Sequence, residues 1–119
     1  MEKKVLGKIG EDKACDFYKK LGYKIVDRNF VIRGGEIDFI AGKLRELIFV
    51  EVKTRISDRF GLPEESVGFA KEKALQRSIN AYLSLSDYDG YSWQVDLIAI
   101  NIAEDGKVIR LERFENILS

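Results

Sequence analysis

The apolar positions of this chain fall into runs of two periods. Residues 6–21 repeat at helical spacing: Gly10, Ala14, Phe17 and Leu21 form one stripe with Tyr18 at its edge, and Gly22 is a natural stop. Residues 23–32 read as a strand, and Arg33-Gly34-Gly35 as a tight turn. Two apolar runs follow, Gly35-Glu36-Ile37-Asp38-Phe39-Ile40-Ala41 and Ile48-Phe49-Val50-Glu51-Val52-Lys53-Thr54-Arg55. The short polar segment Gly42-Lys43-Leu44-Arg45-Glu46 joins them. They predict an antiparallel hairpin, so the first three strands form a meander. After a loop over 56–62, Pro63 suits a first helical position, with Glu64 and Glu65 complementing the helix N-terminus. This helix is predicted to reach about Ser84 on a stripe of Val67, Ala70, Ala74, Ser78, Ala81 and Leu85, widened by Leu75 and Tyr82. A loop over 86–90 leads to a long apolar strand, 92–102. A helix separates it from the third strand, so a right-handed crossover would set the two parallel. An Asp105-Gly106 turn and a more polar strand over 108–114 follow. The order predicts a single α/β domain over residues 1–119, a mixed five-stranded sheet flanked by two helices.

Acids interrupt the apolar strands. A strand repeats every two residues, so Glu36 and Asp38 share a face, as do Glu51 and Lys53. With the turn near Leu44-Arg45, Asp38 lies opposite Glu51 and Glu36 opposite Lys53, Cβ atoms roughly 5 Å apart. A charged outer face on a half-exposed hairpin is the bland explanation. It fits poorly, because residues 47–52 are apolar on both faces, as in a doubly covered strand. A carboxylate there is costly unless it is paired or binds metal. The pattern points to a metal-centred site, two carboxylates within reach of one cation with a lysine beside them. Asp96, in the fourth strand, carries the same ambiguity. Glu11 lies near the boundary of the first helix's apolar face. It reads as an early-turn acid suiting the helix dipole, or as a third acidic ligand leaning over the sheet; the pattern alone favours the former. Lys71 sits at the margin of the second helix's stripe, able to snorkel or to point toward the acids.

Composition narrows the chemistry. The chain has no histidine and one cysteine, Cys15. That removes His-dependent triads, zinc–histidine sites, Cys-rich metal sites and an internal disulfide. Carboxylates remain, and they favour Mg²⁺ or Mn²⁺. No apolar run is long enough for a membrane span, and Met1-Glu2-Lys3-Lys4-Val5 does not resemble a signal peptide, so a cytoplasmic protein is expected. Net charge is zero, which argues against strong non-specific nucleic-acid binding. The charges are uneven, however: residues 1–77 carry a net +4 and residues 78–119 a net −4, which permits a basic face.

Asp38 followed by Glu51-Val52-Lys53 resembles the Asp…(Asp/Glu)-x-Lys signature of the restriction-endonuclease-like nucleases. Longer strings are more specific. Gly10-Glu11 with Ala14, Arg28-Asn29-Phe30, Gly35-Glu36-Ile37-Asp38 and Phe49-Val50-Glu51-Val52-Lys53-Thr54-Arg55 resemble the YraN family of predicted endonucleases, itself similar in fold to Holliday-junction resolvases. Val67, Lys71, Leu75 and Asp96 also match, so the resemblance runs from about Gly7 to Ile102. One departure is Val31, where many relatives carry an arginine.

The resemblance implies a restriction-endonuclease-like fold and metal-dependent hydrolysis of phosphodiesters in DNA, including branched or structured DNA. It implies that Asp38 and Glu51 bind Mg²⁺ or Mn²⁺, that Lys53 sits beside the attacking water or the scissile phosphate, and that Glu11 completes the set. The Val52 carbonyl could add a ligand. Arg33, Arg55, Arg59 and Lys71 are candidates to hold flanking phosphates, contacts that position nucleic acid without reading sequence. Two alternatives stand beside this reading. One is a nucleic-acid-binding module with little catalysis. The other is a complex adaptor or homodimer using Val108–Phe114 and the apolar end Ile117-Leu118, residues that could equally cover the core edge.

Overall fold

The computed structural model describes residues 1–57, 69–85 and 87–118, and of residues 69–71 the backbone alone. The elements are α1 (Lys3–Lys20), β1 (Lys24–Ile32), β2 (Gly35–Lys43), β3 (Glu46–Ile56), α2 (Phe69–Leu83), β4 (Ser92–Ile102) and β5 (Val108–Phe114). The helix start expected at Pro63 lies outside the described residues. α1 begins a turn before its apolar stripe, with the Leu6 N–H already bonded to the Glu2 carbonyl at 2.9 Å. It ends as the sequence predicts. Gly22, at φ 93°, lets its own N–H reach the Lys19 carbonyl and the Tyr23 N–H reach the Tyr18 carbonyl, which satisfies the last free carbonyls.

The five strands form one sheet in the order β1-β2-β3-β4-β5. β1–β2, β2–β3 and β4–β5 are antiparallel, and β3–β4 is parallel over its full length, from Glu46 opposite Ser92 to Ile56 opposite Ile102. The fold is therefore α/β with a mixed five-stranded sheet, as the element order predicts. The β2–β3 hairpin is tighter than its five-residue polar segment suggests. Lys43 pairs with Glu46, leaving Leu44-Arg45 as a two-residue turn with Leu44 at φ 55°.

Alternation on β3 divides the core. Ile48 and Val50 pack with α1, alongside Ala14, Cys15, Tyr18, Phe39 and Ala41. Leu47 and Phe49 pack with α2, alongside Ile37, Leu75, Ile79 and Tyr82. Each fully buried aromatic or aliphatic side chain contributes about 1.5–3 kcal/mol. Both helices are rotated from their predicted stripes. α1 buries Gly10, Ala14, Cys15 and Tyr18, while Leu21 is 42% exposed. α2 buries Leu75, Ser78, Ile79 and Tyr82, while Leu85 lies past its end, exposed. The reason on α1 is close approach. A Cβ on Gly10 would collide with Thr54 Oγ1 on β3, so the helix lies close to the sheet at Gly10 and turns Cys15 and Tyr18, rather than Leu21, inward. Ile117 and Leu118 pack against the α2-side core, and the Ile117 N–H bonds the Val95 carbonyl at 2.8 Å, so the chain's apolar end covers the core.

Candidate functional site

The paired ladder of β2 and β3 stops at Phe39 and Val50. Asp38 and Glu51 are the next residues in that register. Beyond this point β2 leaves β3, and the Asp38 carboxylate fills the gap, its Oδ2 accepting the Val52 N–H at 2.7 Å. A strand residue's N–H and C=O point to the same neighbour, so the Val52 carbonyl also faces the gap. Asn29, the β1 residue across from Asp38, sits at φ 54°, a conformation asparagine tolerates better than most residues. β2 is irregular at the same level: Ile37 packs on the α2 side while Phe39 packs on the α1 side, although residues two apart in a regular strand share a face.

Glu51 is 3% exposed, and its Oε1 lies 3.6 Å from Lys53 Nζ. Asp38 is half-buried. Burial first, and then the charge of Glu51, push its carboxyl up to about 7, against the pull of the Val52 N–H; Glu11 and Glu36 add to the rise. Sequence pattern thus placed the two carboxylates and the lysine together, and the structure does the same. The donors are hard oxygens, two carboxylates and a carbonyl, a set that suits Mg²⁺ or Mn²⁺, and Mg²⁺ keeps several waters of its own. Mutual repulsion between the carboxylates is what a divalent cation would relieve. Among the described residues, no three acidic, histidine or cysteine side chains converge closely enough to hold a metal together. Glu11 is therefore near the pair without closing on it.

What holds Glu11 is a clamp that pattern reading did not anticipate. Arg28 donates from Nε and Nη2 to Glu11 Oε1 at 3.0 and 2.8 Å, and from Nη2 to Asp12 Oδ1 at 2.8 Å. Asn29 Nδ2 adds a fourth bond, to Glu11 Oε1 at 3.2 Å. Hydrogen bonds to Asp12 and Glu11 raise the Arg28 pKa, and the Arg28 hydrogen bond lowers that of Asp12. Gly10 sets the depth of α1 on β3 and Arg28 fixes the rotamer, so Glu11 comes within electrostatic reach of Asp38.

Asp38, Lys53, Glu11 and Arg28 line a cleft of about 660 Å³ between the first half of α1 and the second half of β3, while Glu51, 3% exposed, is not part of its lining. Glu11, Glu36, Asp38, Val52, Lys53 and Arg55 face it, together with Lys3, Lys4, Lys8 and Arg28. Of the four predicted phosphate contacts, Arg55 is in the cleft. Arg33 is not: the β1–β2 turn carries it, exposed, beyond the cleft's lining. Arg59 and the Lys71 side chain lie outside the described residues. The α1 lysines were missed, although Lys4 and Lys8 stand four apart, on one face of a helix.

Asp96, ambiguous in sequence, is structural. It is fully buried and accepts four hydrogen bonds, from Tyr18 Oη at 2.6 Å, Gln94 Nε2 at 2.8 Å, Arg113 Nε at 2.9 Å and the Asn116 N–H at 3.0 Å. It ties α1, β4 and the end of β5 together and takes no part in the cleft.

Comparison with known proteins agrees with this assembly of motifs. Residues 10–100 match the uncharacterised protein family UPF0102. A UPF0102 protein of Caldicellulosiruptor bescii is 43% identical over 108 residues, covering 90% of this chain and 89% of the relative. UPF0102 protein TTE1452 of Caldanaerobacter subterraneus subsp. tengcongensis is 37% identical over 119 residues, all of this chain and 96% of the relative. The chain therefore belongs to the uncharacterised protein family UPF0102, the YraN family.

Proposed function

We propose that this protein is a metal-dependent nuclease of restriction-endonuclease-like fold that hydrolyses phosphodiester bonds in DNA, branched or structured DNA included. One observation carries the reading: the Asp38–Glu51 carboxylate pair, with Lys53 against it, at the point where β2 leaves β3 and opens a cation-lined cleft. Asp38, Glu51 and the Val52 carbonyl would hold Mg²⁺ or Mn²⁺, with Glu11 acting on Asp38 from α1. A bound cation of this kind polarises a phosphoryl oxygen and makes a bound water acidic. The protein's own residues do the remainder. Lys53, paired with Glu51 in the resting site, has an ammonium that can turn to the phosphoryl oxygen as negative charge develops there. Arg55, two residues along β3 from Lys53 and in the same cleft, holds a neighbouring phosphate. Arg28 and Asn29 keep Glu11 from swinging away.

The test is divalent-cation titration by calorimetry, wild type against Asp38→Asn/Glu51→Gln, followed by cleavage of duplex, single-stranded and branched DNA. Glu51→Gln and Lys53→Ala should each abolish cleavage with folding intact; cleavage that persists in either purified variant sinks the assignment. The absence of three converging carboxylates among the described residues favours a second reading, a nucleic-acid-binding module with little catalysis. Binding without turnover in either metal would establish it.

A further inference from the structure

The nuclease reading does not account for the first two turns of α1. Lys3, Lys4 and Lys8 line the cleft's helical wall, opposite Arg55 and Lys53 on the β3 wall. Neither Glu2 nor any acid in the first turn caps this end. Elsewhere in the cleft, cations are matched: Arg28 with Glu11 and Asp12, Lys53 with Glu51, and Lys8, loosely, with Asp12 at 3.7 Å. Lys3, Lys4 and Arg55 have no ion-pair partner among the described residues. In a chain of zero net charge, unmatched cations gathered on both walls of one cleft select a polyanion. Gly7 lies between the lysines on this wall, and a Cβ built there would meet nothing within 4 Å, so the wall is open at this point.

We infer that α1's first two turns are a phosphate track. Lys3, Lys4 and Lys8 bind the backbone of one nucleic-acid strand as it leaves Asp38, and Arg55 binds it on the other side. Helical rise puts Lys3 about 12 Å along the axis from Glu11. That span carries the track past the phosphates next to the reacting one, so it engages phosphates further along the same strand. It makes no base contacts and confers no sequence preference. This rests on the nucleic-acid reading of the cleft, and it is separable from catalysis.

The experiment compares three full-length proteins: wild type, Lys3→Gln/Lys4→Gln/Lys8→Gln, and a control of equal charge loss on α1's other exposed positions, Lys13→Gln/Lys19→Gln/Lys20→Gln. Binding of fluorescein-labelled duplex, single-stranded and branched DNA is followed by anisotropy across a KCl series in EDTA, and cleavage is measured separately with Mg²⁺ and Mn²⁺. The cleft triple should lose about 30-fold in affinity near physiological salt, and its log–log salt slope should flatten by about 2–3. The control should stay within about threefold of wild type. Equal losses in both triples, an unchanged cleft triple, or wild type that binds none of the probes would each overturn the inference. A wild type that binds through these lysines yet cleaves nothing would leave the track standing and remove the nuclease reading instead.

Discussion

Replacing Asp38 by asparagine removes one charge and keeps an oxygen able to accept the Val52 N–H, 2.7 Å away. Burial and Glu51 raise this carboxyl from an ordinary 3.8 to about 7. Each unit corresponds to about 1.4 kcal/mol, so the ionised group destabilises the fold by at most about 4 kcal/mol. Water entering the open cleft screens that charge and brings the expected figure to about 2 kcal/mol. The sign follows from proton counting. Between about pH 4 and 7 the folded carboxyl keeps a proton that the unfolded chain has lost, so wild-type stability falls as pH rises through this window and stays low above it. Asp38→Asn lacks that slope. The variant should match wild type near pH 4 and exceed it at pH 8 by about 2 kcal/mol, or about 8 °C in Tm. The assay is thermal unfolding of both proteins from pH 4 to pH 8.5 in EDTA. Repeating it with excess Mg²⁺ or Mn²⁺ should raise the wild-type Tm at pH 8 and leave the variant's unmoved, since a cation replaces the missing proton. A variant less stable than wild type at pH 8 would refute the reasoning, because the Val52 bond, not charge repulsion, would then dominate the site.

Three further outcomes follow from the packing. Gly10→Ala should destabilise by about 1–3 kcal/mol, because the added Cβ strikes Thr54, whereas Gly7→Ala on the same helix should stabilise by about 0.5–1 kcal/mol; urea unfolding of the pair, with the opposite order, would show that α1 is not seated as described. Asp96→Ala should cost about 3–5 kcal/mol by stranding Arg113 and Tyr18, and a loss under about 1 kcal/mol would mean the four-bond network is dispensable. Cys15 is buried and its thiol is pushed up to about 11 by that burial, so it should resist thiol reagents at pH 8 until the protein unfolds; rapid labelling of native protein would contradict this.

The site's centre was legible because it is local. Asp38, Glu51 and Lys53 sit on one hairpin, and a turn at Leu44-Arg45 dictates that the two acids come together. The sheet order was legible for a related reason: one meander, one helical crossover and one final hairpin leave few topologies open. What could not be read depends on partners distant in sequence. Asp96 looks like Asp38 in its strand, and only Tyr18, 78 residues away, together with Arg113 and Asn116, makes it a structural carboxylate. Arg28 reads as a surface cation until α1 brings Glu11 and Asp12 beside it. The helix stripes differ for separate reasons: on α1 the close approach that Gly10 permits turns Cys15 and Tyr18 inward rather than Leu21, and on α2 the bulkier Leu75, Ile79 and Tyr82 prevail over the small residues of the expected stripe.

The β2–β3 hairpin closes across a two-residue turn, while residues 57–91 intervene before β4 can join β3. Hairpins form in about 1–10 μs, and long crossovers close later because chain entropy must be overcome first. The two acids therefore meet while the hairpin is still in water, where two charges 4 Å apart repel by only about 1 kcal/mol. Their repulsion becomes costly later, when α1 and the remaining strands dock and exclude solvent. The site's electrostatic burden thus falls on the docking stage of assembly. Acidification from pH 8 to pH 5 should act on the unfolding limb of a chevron plot, slowing escape from the native state and leaving the folding rate nearly unchanged.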